Sequence, residues 1–258
     1  MKYIIFIISL LILSCSNSYQ ANNKEKEIIS EIKKDTIPPD TIPNLNSLND
    51  KVRDGKISKE DALAKLKLIL PLVKAYYFAQ GGKVYNKTDW VFPLKGYNSS
   101  NIGGKNGNGY VDDGYNYFDG NKHKGHPAHD IFINDVDQNS IDDKTKMPTD
   151  VLSMTGGIVL AIEMNWDSTS DQRGGNYIWI YDPNENSFFY YAHNSKVLVK
   201  PGTIVKPGDA IAHVGRTGFN AFKKRSPTHL HIMQLTFDQN FIPKPIDPYK
   251  DLIKAKLN

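Results

Sequence analysis

Histidine and aspartate residues are grouped in three short motifs of the chain. All seven histidines lie after residue 122. HPAHD contains His126 and Asp130, YYAH ends at His193, and THLHI contains His229 and His231. Imidazole nitrogens and carboxylate oxygens are zinc ligands, and histidine, with an ordinary pKa of about 6.5, also transfers protons near neutral pH. The sequence therefore predicts one metal or acid–base site.

The spacing in HPAHD limits the backbone conformations that could bring His126 and Asp130 to one metal ion. On a straight strand His126 and Asp130 would lie roughly 13 Å apart, too far to share one metal ion. On a helix they would share a face, but Pro127 and the apolar run IFI after Asp130 disfavour a long helix. We predict a bend at Pro127 and Ala128, with Asp130 opening a strand and His129 pointing away from it.

The two histidines of THLHI lie two positions apart. On a strand, such residues face the same side, about 6.6 Å apart. Two imidazoles in this position can converge on one zinc ion at about 2.0–2.1 Å each. The spacing leaves three interpretations open, namely two ligands, a ligand beside a catalytic partner, or two polar residues on a strand.

Taken together, HPAHD, YYAH and THLHI resemble the motifs of the lysostaphin-type zinc metallopeptidases, which cleave peptide crosslinks in bacterial cell walls. The resemblance extends to GGIVLAI after the first motif, GGNYIWI before the second and VKPGDAIAHVGRTG before the third. It covers roughly residues 90–235.

This resemblance implies a role for each matching residue. His126, Asp130 and His231 are expected to bind one zinc ion per chain, and His193 and His229 to be catalytic without binding it. Two imidazoles and one carboxylate leave the fourth position of a tetrahedral site open for water. Because the sequence has no HExxH glutamate, we expect His229 to be the base and proton donor and His193 to stabilise the oxyanion.

Short strands are the elements that must position these residues. After Gly82, runs rich in Val, Ile, Tyr and Phe alternate with Gly, Asn, Asp and Pro, as in GGIVLAIEM, NYIWIYD, SFFYYAH and AIAHVG. This pattern is typical of antiparallel β structure. We predict a mainly β fold, with an antiparallel catalytic domain and its groove over residues 83–250, preceded by a short helical segment.

Residues 47–82 carry the clearest helical pattern. Ser58 and Asp61 fit a capping box, and apolar residues recur at helical spacing after them. Pro71 is expected to kink or split the helix, and Gly81 with the next glycine to end it. The segment has no motif with chemistry, so we expect packing or positioning from it, with partner binding as the alternative.

The N-terminus predicts a targeting segment. A lysine and a short apolar run precede ILSC, which ends at Cys15, the only cysteine of the chain. Residues 1–15 resemble a bacterial lipoprotein signal, and the alternative is an ordinary cleaved signal. Residues 16–46 are polar and predict a flexible tether. We expect a cell-envelope protein that is held in a membrane by lipid on Cys15 and faces the periplasm.

Two loops and two arginines have open roles. Residues 101–121 form a Tyr-rich segment that either walls the groove or connects strands. Residues 135–143 partly match a calcium loop but lack its glycine and glutamate, so we expect a solvated hairpin insertion. Arg216 and Arg225 either meet substrate carboxylates or anchor loops.

Charge and motifs together narrow the function. The formal net charge of +4 is mild and unclustered and does not indicate nucleic acid. We expect a zinc endopeptidase acting on peptidoglycan peptides, with D-alanyl–diaminopimelate crosslinks as the target for a protein facing a periplasm. The alternatives are an inactive relative that binds or activates another wall hydrolase, and a secreted zinc peptidase acting on proteins.

Overall fold

Two antiparallel sheets form the framework of the protein. This computed structural model describes residues 43–258, so the predicted signal segment, Cys15 and residues 16–42 of the predicted tether lie outside the described residues. Every ladder between the strands of the two sheets is antiparallel, which confirms the predicted mainly β fold class. The strands are β1 (Ala128–Phe132), β2 (Asp150–Leu152), β3 (Gly157–Glu163), β4 (Tyr177–Asp182), β5 (Ser187–Ala192), β6 (Lys196–Val197), β7 (Ile204–Val205), β8 (Ala210–His213), β9 (His229–Phe237) and β10 (Pro243–Ile246).

The larger sheet carries the three motifs. Its strand order is β1-β9-β5-β4-β3-β7, and β10 also pairs with β9. The smaller sheet has the order β2-β8-β6. All six residues of β4 are buried, as expected for a strand that is covered on both faces.

Each face of the larger sheet contributes to a separate core. In β9, Leu230 and Ile232 belong to the core that includes the smaller sheet. Met233 and Leu235 belong to the other core, which includes the helices. This division follows from the strand geometry, because successive side chains point to opposite faces.

Within residues 43–258, three α-helices accompany the sheets, namely α1 (Asn46–Arg53), α2 (Lys59–Ala79) and α3 (Tyr249–Leu252). Helix α2 begins as predicted after Ser58, whose Oγ accepts the N–H of Asp61 at 3.1 Å. It continues through Pro71, so the predicted split does not occur. Leu70 and Val73 are fully buried on either side of the proline, and this packing outweighs the poor helix propensity of proline. Among the described residues, no helix is long and apolar enough to cross a membrane.

The helical segment packs directly on the larger sheet. Leu66, Leu70 and Tyr77 of α2 share one core with residues of β3, β4, β5 and β9. Contact begins before α1, since the N–H of Leu45 donates to the carbonyl of Leu160 at 2.7 Å. The final residues of the predicted tether therefore lie against the sheet, and Pro43–Asn258 form one unit.

Candidate metal centre

Adjacent strands bring the three motifs to one end of the larger sheet. In the β1–β9 ladder, Asp130 lies directly opposite His231. On the other side of β9, His231 lies opposite Ala192, the last residue of β5. His193 follows immediately, so residues far apart in the sequence meet within one layer.

A tight turn places His126 beside Asp130. The N–H of Ala128 donates to the carbonyl of His126 at 2.8 Å, which closes a three-residue turn around Pro127. The strand begins at Ala128, two residues earlier than expected, because Ala128 already pairs with Met233 of β9. The turn leaves His126 Nε2 at 3.3 Å from Asp130 Oδ1.

His126, Asp130 and His231 form a group with the donor set of a zinc site. One ligand atom from each lies within 4.8 Å of the others, and His231 Nδ1 is 3.1 Å from Asp130 Oδ1. His126 Nδ1 donates to the carbonyl of Gly109 at 3.0 Å, so Nε2 is the ring nitrogen that faces the carboxylate. Two nitrogens and one oxygen fit tetrahedral zinc with a fourth position open.

The charge states of Asp130 and His231 also suit a cation, whereas burial lowers the pKa of His126 and the stronger effect of Asp130 raises it. Burial alone would raise the pKa of Asp130, but hydrogen bonds from His126 and His231 hold it well below its ordinary value. Burial lowers the pKa of His231 to about 4, against the opposing effect of Asp130. An ionised carboxylate and a neutral imidazole are the forms in which these side chains bind metal.

His193 and His229 lie beside this group and are oriented by the backbone. His229 Nδ1 is 2.7 Å from the carbonyl of Pro227, and His193 Nδ1 is 2.8 Å from that of Thr217. Because a carbonyl only accepts, both Nδ1 atoms carry hydrogen and each Nε2 is left for chemistry. His229 Nε2 is 3.7 Å from Asp130 Oδ1, and the rings of His193 and His229 are 4.8 Å apart.

His193 has an unusual backbone conformation. Its φ is 67°, a left-handed conformation that costs free energy for a residue with a side chain. The hydrogen bonds from its N–H to Gly174 and from the N–H of Asn194 to Asn176 hold it there. Burial lowers the pKa of His193 well below its ordinary value, which favours the neutral ring.

The loop at residues 135–143 supports the start of THLHI. Asp135 Oδ2 accepts hydrogen bonds from Thr228 Oγ1 at 2.5 Å and from the N–H of Ser140 at 2.8 Å. The loop contains no strand, unlike the predicted hairpin, because its backbone N–H groups bond to Asp135 instead of to a partner strand. Arg216 anchors the same region, since its Nη1 donates to the carbonyl of Ser226 at 2.6 Å.

The segment at residues 101–121 holds the ligand-bearing strand from outside. It supplies the Gly109 carbonyl to His126, and the N–H of Gly103 donates to the carbonyl of Asp130 at 2.8 Å. It contributes no residue to the lining of the groove over the metal centre. Tyr115 and Tyr117 instead line a cavity next to that groove.

The sequence reasoning singled out neither Arg173 nor Tyr190, and both line the groove with the five motif residues. Arg173 stands directly before the glycine pair of RGGNY, the stretch that leads into β4. That position was the available signal, since binding and catalytic residues often lie on loops and Gly175 has a left-handed backbone.

Comparisons with known proteins found one family model and several solved structures that are similar to this chain. The model of peptidase family M23 matches residues 137–243, a span that contains His193, His229 and His231 and begins after His126 and Asp130. The catalytic domain of the antimicrobial peptidase lysostaphin from Staphylococcus simulans is 27% identical over 56% of this chain and 86% of that chain, with a TM-score of 0.36.

Two further solved structures show lower identity. A zinc-containing peptidase from Vibrio cholerae is 22% identical over 69% of this chain and 41% of that chain, with a TM-score of 0.39. A variant of the catalytic domain of a prophage-encoded M23 protein from Enterococcus faecalis is 19% identical over 54% of this chain and 88% of that chain, with a TM-score of 0.32. Peptidases of family M23 are zinc-dependent peptide-bond hydrolases, and His126, Asp130 and His231 are a group that could hold a metal ion.

Proposed function

We propose that this chain, which contains a domain of peptidase family M23, hydrolyses peptide crosslinks of bacterial peptidoglycan, with the D-alanyl–diaminopimelate bond as its target. The observation that carries the proposal is the grouping of His126, Asp130 and His231, with His193 and His229 beside them. The wall substrate is further supported by the resemblance of the three motifs to lysostaphin-type enzymes and by the envelope location that the N-terminus predicts.

The metal would be held by His126 through Nε2, by Asp130 through a carboxylate oxygen and by His231 through Nδ1. When bound, zinc supplies a Lewis acid that acidifies water and polarises the peptide carbonyl. The protein contributes the orientation of both, since Gly109 fixes the ring of His126 and the β1–β9 register fixes Asp130 opposite His231.

His229 is the proton carrier in this mechanism. Its Nδ1–H is tied to the carbonyl of Pro227, so Nε2 accepts the proton of the attacking water. The same atom then returns the proton to the leaving amine nitrogen. The position of Nε2, 3.7 Å from Asp130 Oδ1, places this exchange beside the metal ligands.

His193 stabilises the developing oxyanion only when its Nε2 carries a proton. Its Nδ1–H already donates to Thr217, so a donor at Nε2 requires the imidazolium form. Burial disfavours that form and lowers the pKa of the ring. We therefore assign to His193 the uptake of one solvent proton at Nε2 as negative charge builds up on the substrate, because that charge offsets the cost of burial, and the proton returns to solvent when the products leave.

Digestion of defined wall fragments tests the proposed function. Purified disaccharide-peptide dimers are incubated with the protein, with and without a chelator, and the products are identified by mass spectrometry. We expect monomers cut between D-alanine and diaminopimelate, and no products after chelation until zinc is restored. Intact dimers at full zinc occupancy would favour an inactive activator, and cleavage of proteins alone would favour a secreted protein peptidase.

We also propose that lipid on Cys15 anchors the protein in a membrane of the cell envelope, facing the periplasm. The support is the short apolar run that ends at this cysteine. Metabolic labelling with a radioactive fatty acid tests it, because the wild-type chain should incorporate label and Cys15→Ser should not. Equal labelling of both chains would refute the anchor.

A further inference from the structure

Arg173 is a half-buried cation at the edge of the groove. Its Nη1 donates to the carbonyl of His123 at 2.7 Å. The backbone is held as well, because its N–H donates to Asn121 Oδ1 at 2.8 Å and Asn121 Nδ2 donates to the carbonyl of Asp171 at 3.1 Å. The side chain is therefore positioned before any substrate arrives.

The charge of Arg173 has no counterpart within residues 43–258. No carboxylate of this part of the chain forms an ion pair with it. Arg53, which lines the same cavity as Arg173, contacts Asp50, Asp54 and Glu163. A guanidinium has five N–H donors in a planar fork that matches a carboxylate, and four of those of Arg173 have no acceptor among the described residues.

An aromatic cavity adjoins the groove at Arg173. The two share Arg173, Gly174, Tyr190 and Met233 as lining residues. Beyond them four rings from the 101–121 segment and from β4 line the cavity, namely Tyr115, Tyr117, Tyr177 and Trp179, and residues of α1, including Arg53, form another part of its wall. A cavity of this kind accepts an aliphatic chain, because burial of apolar carbon against aromatic rings is favourable.

We infer that Arg173 binds the free carboxylate next to the scissile bond of the crosslink and that the aromatic cavity takes the methylene chain of the same residue. This rests on the proposed function. In a D-alanyl–diaminopimelate crosslink, the carbon that bears the scissile nitrogen also bears a free carboxylate, followed by three methylene groups. A crosslink to lysine has the same chain without that carboxylate, and a glycine bridge has neither. Arg173 thereby selects between classes of wall crosslink.

Three matched dimers test the inference, with diaminopimelate, its carboxamide at the same carboxylate, or lysine in the acceptor position. We expect the wild-type enzyme to favour the free carboxylate by about 10- to 100-fold in kcat/KM, the range of a charge-assisted pair. Arg173→Gln should reduce this preference to about one, by slowing cleavage of the diaminopimelate dimer more than that of the other two. Arg173→Lys should retain a part of it, since lysine keeps the charge and loses the fork.

A control variant separates contact from general attraction. Arg225 lies in the loop that borders the groove, where its Nη2 is 3.4 Å from Asn220 Oδ1. Arg225→Gln removes the same charge without removing the contact and should leave most of the preference for the free carboxylate in place. An equal loss on all three substrates in Arg173→Gln, or no preference in the wild-type enzyme, would overturn the inference.

Measurements of substrate binding test the proposed carboxylate site independently of catalysis. The His229→Ala protein, loaded with zinc, is titrated with the uncleaved diaminopimelate and lysine dimers by calorimetry, alone and combined with Arg173→Gln. The single variant should bind the diaminopimelate dimer about 10-fold or more tightly than the lysine dimer, and the double variant should bind both alike. Failure of the wild-type enzyme to cut any dimer refutes the proposed function, whereas absent or equal binding refutes the carboxylate site.

Discussion

The two histidines of THLHI have the same side chain and present different nitrogens. His231 turns Nδ1 towards Asp130 at 3.1 Å. His229 gives its Nδ1 hydrogen to the carbonyl of Pro227 and leaves Nε2 for the groove. The carbonyl of Pro227 thus makes the free nitrogen of His229, the proposed proton carrier, different from that of His231. The spacing of two residues places both rings on the same face of β9. The hydrogen bond to Pro227 determines that His229 presents Nε2, whereas His231 presents Nδ1.

Substitution of each residue should separate metal binding from proton transfer. Asp130→Ala should lower the zinc content from about one per chain to near zero, because one charged ligand is lost. His229→Ala should keep about one zinc and lower kcat by about 10²- to 10⁴-fold, the contribution of a general base. Zinc is measured by atomic absorption and cleavage by product analysis.

His213→Ala is the matched control, since His213 lies on β8 of the smaller sheet and should change neither quantity. Loss of zinc in His229→Ala would make that residue a ligand and contradict the assignment.

At the scale of elements, two loops meet where His193 is oriented. Gly175 has a φ of 63°, and a Cβ placed there would lie 2.3 Å from the carbonyl carbon of Thr217. The carbonyl oxygen of Thr217 accepts the hydrogen bond from His193 Nδ1. The absence of a side chain at Gly175 therefore lets the 170–175 loop approach Thr217, whose carbonyl orients the ring of His193.

Gly175→Ala should lower both stability and activity. The left-handed backbone alone costs about 1–2 kcal/mol for a residue with a side chain, and the clash with Thr217 adds to it. Gly55→Ala is the matched control, because Gly55 has a φ of 66° and no atom within 4 Å of the added Cβ. Urea unfolding and kcat are measured for both.

We expect Gly55→Ala to lose stability by the backbone cost alone and to keep its kcat. If Gly175→Ala keeps full activity, Thr217 is not held in place by this contact.

Local sequence patterns predicted most of the strands and helices. The same patterns did not predict the contacts between residues that lie far apart in the sequence. The runs around β3, β4, β5 and β8 show strand periodicity, and Ser58 marks the start of α2. The five motif residues were found through spacing and family resemblance. The Gly109 carbonyl on His126 and the Asp135 carboxylate on Thr228 join residues 17 and 93 positions apart. Such pairs depend on the tertiary fold and leave no periodic trace in the sequence.

At the scale of the whole molecule, one face of the larger sheet serves two purposes. Met233 and Leu235 of β9 point from this face into the core shared with the helices. His229 and His231 lie on the same face at the other end of the strand. Val52 and Arg53 of α1 line the cavity that adjoins the groove. The helical segment therefore lines the cavity next to the groove as well as covering the sheet.

Buried tyrosines predict a loss of stability in alkali. Burial raises the pKa of Tyr177 and of Tyr181 to about 12, whereas an exposed tyrosine ionises near pH 10. The folded state holds these protons more tightly, so their stabilising effect is complete below about pH 10 and is lost as pH rises towards 12. The free energy of unfolding, measured with urea across this range, should fall in that window.

The double substitution of Tyr177 and Tyr181 by Phe should flatten the fall between pH 10 and 12, since the ionising groups at issue are removed. An unchanged slope would assign the alkaline transition to other groups.

Asp130 and His231 stand opposite each other on neighbouring strands although they are 101 positions apart in the chain. An ion held by both closes a long loop, and a ligand that binds only the folded form adds to the free energy of unfolding. A bound zinc ion would therefore act as a reversible crosslink between β1 and β9. Withdrawal of the ion should lower the melting temperature together with the activity. The supply of zinc would then govern how long each molecule stays folded as well as how fast it works.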